Sequence, residues 1–520
     1  MKQFHSTTIL SCLTGLTLAA APLQALAQDG EKVLNYAFSQ DIRGTQPGVD
    51  RDGATDTAQM HVVEGLVGYA TDFSIKPVLA DSYEISDDGL TYTFKLREGV
   101  KFHNGETMTA ENVKWSWDRY MNPETKWRCL SYFDGSNGVE VTSMEVVDPL
   151  TVVFTISAPS ATFLGNMARF DCGATAVLHS DSVDADGKWI APIGTGPFTF
   201  GDIRPGQYFD LVKFDDYSVD DGPADGYTGA KIAMVDRVRF NILDEAAIKK
   251  TAFLAGDVDI TSIDGADYEE IDGLDTASVL TVQTAVWESF LINVRDPLLS
   301  KPAMRKAIAH ALDRDTIVEV ATEGRGTPNA SPVPPMSSFY GEVEQQGPEY
   351  DPELAKKYLE EAGYNGEELV IITSNRSGGY FERSVIAQSM LAAVGINAKI
   401  ETIEWGTQID LYNSGEYQMM SFAYSARLDP ALSFEMITGE EGRKVLRTPE
   451  ALATLEKAMS ISEPVERQKL IDELQVIFNE EIPAYSINHR PQFFAVSDKV
   501  KGFNGWGAAK EIFWGVELVD

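Results

Sequence analysis

Cysteine is scarce in this chain, with three in 520 residues, and histidine nearly so, with six. Those histidines are scattered singly, and no CxxC, HxxxH or HExxH spacing occurs. That excludes the usual structural zinc site and zincin-type catalysis, and no cofactor is called for. Positive charge is also in short supply: 43 Lys+Arg face 79 Asp+Glu, a net charge of −36, and no block of Lys/Arg offers a local exception. Nucleic acid and anionic lipid are therefore excluded as partners. Beyond the N-terminus no segment approaches the ~20 apolar residues that cross a bilayer. GxSxG is missing, and the glycines of GTG (194–196) are not followed by GKS/T, so neither a hydrolase elbow nor a phosphate loop is present.

What remains is globular in composition, 43% hydrophobic and 23% charged. Lys2 is the only formal charge before Asp29, and ILSCLTGLTLAAAPL (9–23) leads to Ala25-Leu26-Ala27, the small-x-small pattern of a cleaved export signal. Cys12 raises a lipoprotein anchor, but Ile9-Leu10-Ser11 is a poor lipobox and the apolar run follows the cysteine. The expectation is a signal peptide over 1–27, cleavage after Ala27 and an exported mature chain beginning at Gln28. About 493 residues then remain, enough for about three structural units at roughly 150 each. In an oxidising compartment Cys129 and Cys172 read as a disulfide or as two separately buried thiols.

Periodicity supplies the elements. Tyr92, Phe94 and Leu96 alternate with Thr91, Thr93 and Lys95, and Val152, Phe154 and Ile156 with Thr151, Val153 and Thr155, predicting strands. Thr109 caps a helix whose Val113, Trp117 and Tyr120 share a face. Residues 235–243 read as a strand, 244–256 as a helix ending at Gly256, and 258–260 as a short strand. A helix opened by Pro302 is predicted over 301–320. DPELAKKYLEEAG (351–363) has Asp351 as N-cap, Pro352 at the first helical position, Leu354, Tyr358 and Leu359 inward, a Glu353–Lys357 pair and Gly363 past its end. Strand 368–373, helix 379–394 and strand 398–403 form a β-α-β unit. The Pro/Gly/Ser-rich stretch 322–350 reads as irregular surface.

Several stretches, in order along most of the mature chain, resemble the family 5 (peptide/nickel-type) extracytoplasmic solute-binding proteins of ABC importers. They are GLTYTFKLREGVKFHNGE (89–106) with TAENVKWSWDR (109–119), IGTGPFTF (193–200), MRKAIAHALDRDTI (304–317), YDPELAKKYLEEAGY (350–364), IPAYSINHR (482–490) and VKGF (500–503). The resemblance implies an α/β, two-lobed periplasmic-binding-protein fold (class C, type II-like). Lobe I would span 28–285 with an extra α+β subdomain over about 72–195, lobe II 286–486, and 487–520 would return to lobe I. It also implies a periplasmic, non-enzymatic monomer that encloses a small peptide or peptide-like solute and delivers it to an ABC permease and ATPase complex.

A zwitterionic peptide needs a carboxylate for its amine and a cation for its carboxylate. In the dipeptide-binding branch an aspartate of an Asp-Pro motif holds the amine, and QMMSFAYSARLDP (418–430) places Asp429 there. ITSNRSGG (372–379) offers Arg376 for the ligand carboxylate. The plainer alternatives are a turn-capping Asp429 and a solvated Arg376. The segment departs from that branch by one extra residue and by Arg427, which either pairs with Asp429 or binds an anionic group directly. An opine, a modified peptide or an oligosaccharide is then an alternative ligand, and direct histidine ligation of nickel a minor one. Trp405, Phe422 and Tyr424 offer rings for stacking or for the core. PGVDRDGATD (47–56) falls where the family lines its cleft. Gly194, Gly196 and Pro197 are expected to fix a tight turn at the lobe interface. The rival class is a secreted hydrolase, for which abundant carboxylates supply no recognisable constellation. A sensory role in place of uptake is a third alternative.

Overall fold

The computed structural model describes residues 30–376, 378–438 and 446–519. The leader, Cys12 and the cleavage point after Ala27 lie outside the described residues. The alternation at 91–96 builds the centre of a four-stranded antiparallel sheet, ordered Ala80–Ile85, Thr91–Leu96, Thr151–Ile156, Val141–Asp148. Tyr92 faces Phe154 and Phe94 faces Val152 across one strand pair, all at most 1% exposed. Helix Ala110–Met121 covers this face, its start fixed where the Thr109 backbone N–H donates to the Asn112 side chain at 2.8 Å. Trp117 meets Phe133 and Phe154 edge-on. Cys129 and Cys172 are joined in a disulfide across 43 residues of sequence, which settles the choice the sequence left open.

A ten-stranded mixed sheet spans the rest of the molecule. Its order is Ala398–Thr402, Leu369–Thr373, Met419–Tyr424, Ala277–Ile292, Ala484–Ser497, Ile260–Ile263, Val33–Phe38, Arg237–Ile242, Tyr208–Lys213, Phe198–Arg204. The fourth and fifth strands, of 16 and 14 residues, run antiparallel and connect the two halves. Their register slips between Gln283 and Trp287, opposite Pro491 and His489. Pro491 has no N–H to give the ladder, and such an irregularity lets paired strands bend. This is an α/β, two-lobed binding-protein fold with an additional α+β unit. Among the described residues no helix is long and apolar enough to cross a membrane.

Local expectations held where caps were explicit. Asp351 accepts from Glu353 and Leu354 N–H, and Gly363 closes helix Pro352–Ala362 at φ 60°. The inner face is Ala355, Leu359 and Ala362, with Leu354 and Tyr358 only partly buried, and Glu353 pairs with Lys356 in place of Lys357. The predicted 301–320 helix is two helices, Pro302–Ala311 and Arg314–Ala321. Asp313 breaks it, because its carboxylate captures the N–H groups of Asp315 and Thr316 and starts a new helix. The strand placed at 258–260 begins only at Ile260 and runs to Ile263. The 322–350 stretch has no helix or strand but is far from all surface: Asn329, Ser331 and Val333 are at most 3% exposed. Asn329 Nδ2 holds it by donating to the Ser331 and Val333 carbonyls. Gly194 and Gly196 serve close approach, since a Cβ on either would sit 2.5 Å from the Val62 or His61 carbonyl oxygen.

Candidate functional site

A cavity of about 430 Å³ opens beside the crossing of the two long strands, between segments from the two halves of the chain. One wall comes from residues 51–56, 128 and 169–171, the opposite wall from Ser425–Leu428 and Leu432, and the floor from Val286 and Ala508–Lys510. Val286 belongs to the segment where the two long strands slip register, and next to it Ala285 N–H donates to Gly507 O at 2.7 Å. The C-terminal segment is thereby tied to the strand crossing. Ala509 holds a left-handed φ of 56°, a conformation that costs a non-glycine residue about 1 kcal/mol or more and that clusters at binding sites.

Five cationic side chains line this cavity, Arg51, Arg128, Arg169, Arg427 and Lys510, against two carboxylates, Asp56 and Asp171. Arg169 grips Asp171 with both nitrogens, at 2.9 and 2.8 Å, and Arg128 reaches the same carboxylate at 3.2 Å. Burial alone would raise the Asp171 carboxyl, but Arg169 and Arg128 overcome it and hold it well below the usual range. Asp171 adjoins Cys172, so the disulfide anchors this corner of the wall. Arg51 pairs with Asp56 at 3.0 Å; Asp56 is buried in the first turn of helix Gly53–Gln59, and burial raises its carboxyl. Lys510 donates to Gly53 O at 2.9 Å, and burial pushes its amine down. Arg427 donates to the Ser425 and Ala426 carbonyls, Ser425 Oγ and Met436 Sδ. Burial, and next the like charge of Arg169, push its guanidinium down.

The residues singled out in the sequence fall in three places. Arg427 lines the cavity just described, as do Arg51, Gly53 and Asp56 of the 47–56 stretch. Asp429 lines an adjoining space of about 310 Å³, rich in Tyr69, Phe73, Tyr83, Leu164 and Phe339, which shares Tyr69 and Leu428 with the first. Its carboxylate accepts from Ala431 N–H at 2.9 Å and pairs at 2.8 Å with Arg467, both side chains nearly buried. Asp429 is thus paired with Arg467, 38 residues on in the chain, and not with Arg427. Arg376 is exposed, lies over the Trp405 ring at 4.1 Å, and lines a separate cavity with Glu288, Arg490 and Phe493. Phe422 and Tyr424 are 4% exposed in the interior: Phe422 stacks on Tyr412 and Trp405, Tyr424 on Trp287. Their strand, Met419–Tyr424, is central in its half of the sheet, which buries both faces. Arg128, Arg169, Asp171 and Lys510 also line the cavity, and as single charges far apart in sequence they carry no local signal.

A cavity shared by two lobes across a paired strand crossing defines a protein that encloses a solute between them. The chain belongs to the bacterial extracellular solute-binding proteins, family 5, whose middle-region model matches residues 74–444. It is 28% identical to heme-binding protein A of Haemophilus influenzae over 97% of this chain and 98% of that one. It is 27% identical to the dipeptide-binding protein of Escherichia coli, covering 94% and 95%. In three dimensions it is similar to a periplasmic binding protein of Helicobacter pylori solved with the peptide STSA, at a TM-score of 0.72, 26% identity and coverage of 94% and 99%.

Proposed function

We propose that this chain captures a small peptide-like solute in the cavity between its lobes and hands it, chemically unchanged, to the permease and ATPase of an ABC importer. The observation that carries this reading is that one cavity takes its walls from segments on either side of the long strand pair, 51–171 and 425–432, while Val286 of that pair lies in its floor. A relative movement of the halves about Gln283–Trp287 would open and close it. In this reading lobe I comprises 28–285 with a subdomain at about 72–195, lobe II 286–486, and 487–520 returns to lobe I. Export with cleavage after Ala27 delivers a monomer to the periplasm. The peptide-binding relatives support the solute class. Small-angle scattering of the mature protein, stripped of solute and then reloaded, tests this: loading should reduce the radius of gyration, and mass spectrometry should recover the solute intact. Product accumulating with turnover, or no compaction on loading, would overturn it.

A further inference from the structure

We propose that the solute is a net anion, and that Arg427 and Lys510 receive its acidic groups. This rests on the reading above that a solute is enclosed between the lobes. The sign of the cavity is the reverse of the sign of the protein: the chain carries −36 overall, yet the walls present five cations against two carboxylates. Cations crowded into a partly desolvated space repel one another and are retained at a cost unless an opposite charge joins them.

The resident carboxylates are already committed. Asp171 serves Arg169 and Arg128; Asp56 is bonded to Arg51, and its charge also acts on Lys510 without a direct contact. Arg427 and Lys510 form no ion pair among the described residues and donate to neutral acceptors. The two stand on opposite lobes, Arg427 after the Met419–Tyr424 strand and Lys510 on the C-terminal segment tied to the strand crossing. A solute with acidic groups reaching both would relieve the repulsion between Arg427 and Arg169 and couple binding to closure. A purely amine-led solute finds no such welcome, because Asp429 is held by Arg467. The aromatic space beyond Tyr69 and Leu428 gives the apolar part of the same solute a place.

Calorimetric titration of the stripped protein with Glu-Phe, Ala-Phe and Lys-Phe, net charges of −1, 0 and +1, tests the charge preference. Glu-Phe should bind about tenfold or more tightly than Ala-Phe, the size of one charge-assisted hydrogen bond, and Lys-Phe more weakly than both. Arg427→Ala and Lys510→Met should each remove that preference, while Arg427→Lys keeps part of it. Because both side chains donate only to neutral groups, the variants should melt within a few degrees of the parent. Should one fail to fold, the other still decides. Equal or tighter binding of Lys-Phe, or an Arg427→Ala variant with unaltered preference, overturns the proposal. The solute released by denaturing the native protein separates this proposal from the reading it rests on. A neutral or cationic peptide there overturns the anion assignment and leaves the peptide reading standing. An acidic solute that is no peptide does the opposite.

Discussion

At the scale of single residues, Asp429 shows how a motif can be legible while its chemistry is not. The Asp-Pro pair and the apolar strand before it could be read from SFAYSARLDP, but the partner, Arg467, sits 38 residues on and gives no local sign. The structure makes Asp429 a capping and pairing group, so Asp429→Ala should leave a buried guanidinium without its charge partner. Such a loss costs about 3 kcal/mol or more, and urea unfolding of the solute-free protein should register it; a midpoint unchanged from the parent would show the pair contributes nothing. His61 carries a second test. Its Nδ1–H donates to Thr57 O at 2.8 Å and its Nε2 accepts from Phe513 N–H at 3.2 Å, a pairing that only the neutral ring can make. Burial lowers its pKa from 6.5 to about 4. The unfolded chain therefore binds a proton that the folded one refuses. This contribution to stability is whole above pH 6.5 and falls by on the order of 1.4 kcal/mol per pH unit as pH drops toward 4. In His61→Gln the parent's stability loss between pH 6.5 and 4.5 should be shallower, measured by thermal melts across that range.

Among the elements, those with their own signals were readable: the alternating strands at 91–96 and 151–156, the Thr109 and Asp351 caps, the Gly256 and Gly363 ends. The two long strands that make the molecule one body were not, because Ala277–Ile292 changes from partly exposed to buried along its length and Ala484–Ser497 is buried over nearly all of it, so neither keeps a period of two. Their union is also where a charge is buried. Glu288 Oε1 accepts from Arg383 at 2.9 Å and from Arg490 at 2.8 and 2.6 Å. Burial works against that carboxylate, but Arg383 and then Arg490 hold its pKa below the usual value. The cluster locks helix Tyr380–Ala393 to both long strands just past the register slip. Glu288→Gln should cost about 3 kcal/mol or more, since it strands a fully buried Arg383 beside a second guanidinium. Denaturant unfolding measures this. A neutral outcome would mean water or a rearranged Ser421 hydroxyl, already 2.8 Å from Arg383 Nε, compensates the loss.

For the whole molecule, charge acts at two ranges. At long range an acidic solute meets a protein of −36 and is repelled. Within a few ångströms of the cavity it meets the five cations on the walls. Salt selects between these fields, because the Debye length falls from roughly 30 Å at 0.01 M to about 8 Å at 0.15 M. At low salt the far field of the whole surface governs approach, while at 0.15 M it is screened out and the partly buried cations, shielded from salt, act alone. The association rate of an acidic peptide such as Glu-Phe should therefore rise as salt is raised over this range, the reverse of ordinary electrostatic steering. The dissociation rate should move little, since the contacts that hold the solute lie inside. Lys-Phe should show the opposite trend in association, being drawn in by the surface at low salt and losing that attraction as it is screened. Stopped-flow tryptophan fluorescence at several salt concentrations reads both rates. An association rate for Glu-Phe that falls with salt would mean that the cavity's positive field reaches beyond the acidic surface and dominates it at every distance.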